Sequence, residues 1–170
     1  KGHSMTISRR HFLAGTGSVL AASGQLQAQQ HVPTGSMLTK IIPATGEEMP
    51  IIGLGTLEAF DVEETAADRA GLGEVLNALV AHGGTLVDTS PRYGNAESVI
   101  GDLVSAQNLG DKLFFATKVF SEGEQEGRDE MNASFELLNI DQIDLMQVHS
   151  MRDWQHHLPS IRRLKEAGRV

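Results

Sequence analysis

The ends of four short apolar runs recur at a nearly constant interval, and that interval restricts the chain to folds built from repeated strand–helix units. The runs cover residues 50–56, 85–88, 113–118 and 143–149. Their last residues, Thr56, Asp88, Lys118 and His149, are separated by 32, 30 and 31 residues. Each run is continuously apolar, rich in β-branched residues and bounded by glycine or polar residues, the pattern of a strand buried on both faces. Helical periodicity fills the gaps. Residues 67–82 carry Leu72, Val75, Leu76, Leu79 and Val80 on one stripe and stop at Gly83-Gly84, a fitting end signal. Further helices are predicted over 95–103, over 129–138 with Met131, Phe135 and Leu138, and over 154–167 with Leu158, Ile161 and Leu164. Such alternation predicts parallel strands joined by right-handed crossovers, and the steady period predicts a (β/α)8 barrel. A doubly wound sheet would want a glycine-rich phosphate loop after its first strand. The segment Gly53-Leu54-Gly55-Thr56-Leu57-Glu58 lacks the third glycine.

Ahead of the first barrel strand, 37–52 reads as a hairpin turning at Ala44-Thr45-Gly46-Glu47, with Leu38, Ile41 and Ile42 facing Met49, Ile51 and Ile52. In a barrel it would plug the bottom. A closed barrel needs roughly 250 residues, and 37–170 supplies four βα units, so the expectation is the N-terminal half of a larger polypeptide. The leader is different in kind. Residues 1–5 look like a vector remnant ahead of Met5. Within 6–36, Arg9-Arg10 precede a weakly apolar run from Phe12 to Ala22, and small residues follow near Ala28. This has the look of a twin-arginine signal and linker, implying export to the periplasm through the twin-arginine machinery and cleavage there. The run is far short of the roughly 20 residues that span a bilayer, so no stable membrane insertion is expected.

From Gln29 onward the chain holds 22 acidic and 11 basic residues, a formal charge of −11. That argues against nucleic-acid partners, whose binding rests on neutralising phosphates with Lys and Arg. It leaves room for a small phosphate-bearing cofactor, which needs only a few local cations or helix N-termini. With no cysteine, disulfides and thiolate chemistry are excluded.

Three of the four strands end in an ionisable residue: Asp88, Lys118 and His149. Matched points of one repeat converge at the C-terminal mouth of a barrel, where active sites of this architecture lie. Tyr93 follows Asp88 by five residues, between Pro91 and Gly94. These four residues alone indicate an acid–base site. A metal site is not expected, because Lys118 beside Asp88 is a poor ligand arrangement for a hard cation.

The segment Gly84-Thr-Leu-Val-Asp88-Thr-Ser-Pro-Arg-Tyr93-Gly-Asn-Ala-Glu97 resembles the aldo-keto reductase signature around that family's catalytic aspartate and tyrosine. Phe115-Ala-Thr-Lys118-Val resembles its lysine strand and Ile143-Asp-Leu-Met-Gln-Val-His149 its histidine strand. Ile51-Ile-Gly-Leu-Gly-Thr56 is similar to its opening strand, and 37–50 to its bottom hairpin. The resemblance implies an oxidoreductase that reduces the carbonyl of a small aldehyde or ketone with hydride from NADPH. No residue here separates NADPH from NADH. It casts Tyr93 as proton donor, Lys118 as the ammonium that favours proton release, Asp88 as its holder, and His149 as the group that orients the carbonyl oxygen. Gly55, Thr56 and Asp88 are implied to meet the nicotinamide end of the cofactor. Leu57, Tyr93 and His149 are implied to line the substrate pocket. Met151 and Trp154 lie just past His149 near the same mouth, where Trp154 is a substrate-pocket candidate and equally a candidate for the first packing residue of its helix. Leu57 replaces the large aromatic common at its position. An alternative is a non-catalytic nicotinamide-binding barrel with a sensing role, and the complete quartet favours an enzyme over it.

Overall fold

The computed structural model describes residues 37–63 and 66–170, so the expectations for residues 1–36 lie outside the described residues. The elements run β1 (Thr39–Ile41), β2 (Glu48–Pro50), β3 (Leu54–Gly55), α1 (Ala66–Ala81), β4 (Leu86–Asp88), α2 (Ala96–Gln107), β5 (Phe114–Val119), α3 (Glu124–Leu138), β6 (Leu145–Val148) and α4 (Trp154–Glu166). Strands β3 to β6 form one sheet in chain order, all parallel, as strand–helix repetition with short loops dictates.

The hairpin is present, with a different register from the expected one. Thr39 pairs with Pro50, Lys40 with Met49 and Ile41 with Glu48. The turn sets this register: the Ile42 amide donates to Glu47 O at 2.8 Å and the Gly46 amide to Ile42 O at 2.9 Å, which closes the loop over Pro43–Gly46. Leu38, Ile41, Ile51 and Ile52 are consequently exposed. The ribbon reaches the N-terminal end of β4 through Thr85 Oγ1, which donates to Met49 Sδ at 3.8 Å.

Several strand limits also shift. The first barrel strand pairs only over Leu54–Gly55, Lys118 is followed by one more paired residue, and His149 lies just past β6 in a single 3-10 turn. Helix α3 begins at Glu124, five residues before the apolar periodicity does. Val75 is exposed, so the buried stripe of α1 is Leu72, Leu76, Leu79 and Val80.

Period-2 alternation divides each strand between two faces. Phe115, Thr117 and Val119 of β5 are buried against the helices, together with Val87 of β4 and Met146 of β6. The core is this helix-facing layer, with Leu76, Ile100, Val104 and Leu138 on one side and Met131, Phe135 and Ile143 on the other. Asp88, Lys118 and Gln147 fall on the opposite face, since Lys118 is paired with Gln147 and Asp88 with Ala116. Helices α2 and α3 approach closely at Gly101, where a Cβ would collide with the Leu137 carbonyl oxygen and the Leu138 backbone. Both helices end on an asparagine in the left-handed conformation, Asn108 and Asn139. Asparagine tolerates that conformation, and Asn139 Nδ2 ties the two ends together by donating to Ser105 Oγ at 2.9 Å. No helix among the described residues is long and apolar enough to cross a membrane.

Candidate active site

The charged end of β4 faces the charged end of β5. Lys118 Nζ donates to Asp88 Oδ2 at 2.6 Å and to Thr89 O at 2.8 Å. The lysine side chain is only 13% exposed, against 36% for the aspartate. A half-shielded pair of this kind holds its geometry far better than a solvated one. Gln147, two residues before His149 and registered with Lys118, donates to the other oxygen, Asp88 Oδ1, at 3.1 Å. The Thr56 amide and hydroxyl both donate to Asp88 O, at 3.2 and 3.0 Å, so the end of β3 is clamped to the same residue.

Tyr93 is delivered to this pair by a tight turn. Its amide donates to Ser90 O at 2.9 Å, and the Arg92 amide to Ser90 Oγ at 3.3 Å. Gly94 follows with φ +57°, where a Cβ would run into the Asp61 carboxylate, and Asp61 Oδ1 accepts the Asn95 amide at 2.8 Å. Glycine is required there for both reasons. The result places Lys118 Nζ 5.0 Å from the centre of the Tyr93 ring. The His149 ring stands edge-on to Tyr93 at 6.2 Å and to Phe120 at 5.3 Å. Its Nδ1 is 3.2 Å from Ser90 Oγ.

The four expected residues Asp88, Tyr93, Lys118 and His149 therefore converge. Gly55 is paired with Asp88 across the sheet and has open space where a side chain would be. Leu57 is 57% exposed in the turn after β3. Trp154 opens α4 at 41% exposure and makes no ring contact with Tyr93 or His149. Met151 is exposed in a loop where Ser150, Met151 and Asp153 all have positive φ.

Four contributors were not picked out from the sequence. Ser90 and Phe120 both touch His149, from loops on other strands. Gln147 carried a readable signal, being a polar residue two positions before His149 within an apolar strand. Glu97 is the fourth: only 2% exposed, it accepts Thr117 Oγ1 at 2.6 Å and Ser134 Oγ at 3.2 Å. Desolvation raises its carboxyl above the ordinary range, and the two hydroxyls oppose that shift. It thus braces β5 from the helix side, one residue before Lys118.

The loop following β5 is pinned by carboxylates. Glu130 Oε2 accepts the Phe120 and Ser121 amides at 2.7 and 2.8 Å and the Ser121 hydroxyl at 2.9 Å. Asp153 Oδ2 accepts the Gly123 amide at 2.7 Å. That amide, followed by His156, holds the Asp153 carboxyl below its usual range. The buried His157 adds a contact from Nε2 to Ser121 O at 2.7 Å.

The parallel βα sheet gathers an aspartate, a tyrosine, a lysine and a histidine at the C-terminal ends of its strands, where active sites of βα barrels lie. The model of the aldo/keto reductase family matches residues 51–170, and the chain belongs to that family. An aldo-keto reductase of Mycolicibacterium vanbaalenii is 35% identical over 127 residues, 71% of this chain and 42% of that protein. The methylglyoxal reductase YeaE of Escherichia coli is 33% identical over 118 residues, 66% of this chain and 40% of that protein. Among solved structures, an aldo-keto reductase from Klebsiella pneumoniae in complex with NADPH matches with a TM-score of 0.67 at 26% identity, over 79% of this chain and 48% of that one. An aldo-keto reductase from Pseudomonas aeruginosa reaches 0.70 at 21% identity, over 84% and 61%, a likeness of fold alone. The chain spans about two fifths of the length of the curated relatives it matches. Its hairpin and four βα units are the corresponding portion of a (β/α)8 barrel.

Proposed function

We propose that the chain is the proton-donor half of an NADPH-dependent carbonyl reductase acting on a small aldehyde or ketone. The observation that carries this reading is the single cluster formed by Lys118 between Asp88 and the Tyr93 ring, with His149 edge-on to that ring. Tyr93 gives its proton to the carbonyl oxygen. The Lys118 ammonium stabilises the negative charge left on the phenol, and Asp88 keeps that ammonium aimed. His149 orients the carbonyl. In the tautomer this role requires, Ser90 Oγ donates to Nδ1, 3.2 Å away, and the proton on Nε2 is donated to the carbonyl oxygen. The names of similar proteins agree with such a substrate, since YeaE is a methylglyoxal reductase.

NADPH supplies the hydride when bound. The open space at Gly55 lets a planar ring approach the backbone beside Asp88, while the Thr56 hydroxyl is already committed to Asp88 O. The residues present therefore fit the nicotinamide end. Export through the twin-arginine route, directed by Arg9 and Arg10, is part of the same proposal and rests on the sequence of residues 6–36.

Replacement of Tyr93 by phenylalanine in the intact protein tests the assignment. It removes a proton and little volume. NADPH affinity should be unchanged while reduction of methylglyoxal falls by roughly 10²-fold or more. Undiminished reduction would remove Tyr93 from the role of acid.

A further inference from the structure

The mouth beside His149 carries two guanidinium groups that the acid–base cycle does not use. Arg92 Cζ lies over the Phe120 ring, 4.1 Å from its centre, and Arg152 Cζ lies 4.4 Å from the same centre. Phe120 in turn meets the His149 ring edge-on at 5.3 Å. Both cations are thus within about one screening length, roughly 8–10 Å, of the imidazole. The two differ in pairing. Arg152 Nη2 is held by the Glu122 carboxylate at 2.7 Å. Arg92 makes neither an ion pair nor a side-chain hydrogen bond among the described residues, although acidic residues outnumber basic ones by 22 to 14.

A cation resting on an aromatic face gains only about 0.5–1 kcal/mol, and the exposed guanidinium of Arg92 is otherwise satisfied by solvent, so the contact matters for where it places the charge. What such stacking does is fix the side chain. Its N–H groups have no protein acceptor among the described residues, and such groups suit recognition of a carboxylate or phosphate. Both anchors are themselves fixed. Arg92 is part of the Ser90–Tyr93 turn, and Arg152 follows the two residues of positive φ at Ser150 and Met151. Phe120 is fixed through its amide by Glu130.

We propose that the carbonyl substrate carries an anionic group, a carboxylate or a phosphate ester, which Arg92 receives on the Phe120 platform with Arg152 beside it. This rests on the carbonyl-reductase reading above and names the substrate class of that site. The anion anchors the far end of the molecule while His149 and Tyr93 address its carbonyl.

The test compares matched aldehydes on the intact protein: succinic semialdehyde against butanal, and glyceraldehyde 3-phosphate against glyceraldehyde. Arg92→Met is expected to raise KM for the charged member of the preferred pair about tenfold or more, with butanal and glyceraldehyde unaffected. Arg152→Met should act in the same direction by less, because Glu122 already shares that guanidinium. The pair showing the larger effect separates carboxylate from phosphate. Affinity for NADPH should not change in Arg92→Met, and a loss there would assign the guanidinium to the cofactor and overturn the proposal. Equal KM values for charged and neutral aldehydes, both indifferent to Arg92, would also overturn it while the reductase reading stands. Should no aldehyde be reduced, calorimetric binding of succinate and of inorganic phosphate still decides. One of them must bind the wild-type protein and lose affinity in Arg92→Met.

Discussion

Replacing Lys118 by methionine removes one charge and almost no volume from the centre of the site. The ammonium stands 5.0 Å from the centre of the Tyr93 ring, and at an effective dielectric near 20 a unit charge at a spacing of that order is worth about 3 kcal/mol to the negative charge that develops on the phenol. Asp88, 2.6 Å from the same ammonium, offsets part of that. The remaining stabilisation, about 1.5–3 kcal/mol, corresponds to a loss of roughly 10- to 150-fold in the rate of proton donation. The assay is single-turnover reduction of methylglyoxal at saturating NADPH, followed by loss of nicotinamide absorbance. The substitution also leaves Asp88 Oδ2 and Thr89 O without their donor, at a cost to stability of about 1–3 kcal/mol. A thermal melt run beside the kinetics separates the two effects. A melt lowered by that amount with a wild-type rate would refute the argument, since Lys118 would then be a structural strand end only.

Three further outcomes are expected. Glu97→Gln should flatten a pH dependence of stability. The carboxyl is raised in the native state, so the folded protein holds more protons than the unfolded one above the ordinary value of 4.5, and stability falls as pH rises through the raised value. Urea melts across that window should show the fall in the wild type and its absence in the variant. Gly101→Ala drives a methyl into the backbone at Leu137 and Leu138 and should destabilise by about 1–3 kcal/mol, read from a chemical melt. Changing Arg9 and Arg10 to lysine should retain the precursor in the cytoplasm, seen by fractionation, because the pair is read by a receptor and not as net charge.

The repeat and the quartet were legible because both are local properties of the chain. A strand buried on two faces must be continuously apolar, and a charged residue closing such a run marks where the sheet meets the site. Asp88, Lys118 and His149 each carried that mark. Periodicity located Met131, Phe135 and Leu138 correctly in the core. It missed the start of α3 because Glu124 to Arg128 holds no apolar residue to define a stripe. The hairpin register failed for another reason. Five isoleucines and leucines suggested facing pairs, but the turn at Pro43–Gly46 decides which residues oppose one another. Ser90 and Phe120 were invisible because each acts across loops of different strands. Arg92 carries no such mark in the sequence, because its guanidinium meets a ring from the next βα unit.

The threefold acceptor at Glu130 has a consequence for how this site could change its clientele. Loops around a barrel mouth usually diversify freely, since their backbones answer to little but solvent. The stretch from Phe120 to Gly123 does not have that freedom, because its amides are anchored to Glu130 of α3 and to Asp153 just ahead of α4, and the Phe120 ring meets His149. Variation in what the site admits is therefore channelled to exposed side chains of the other rim, Leu57 above all. One wall is a fixed template against which the other can be recut.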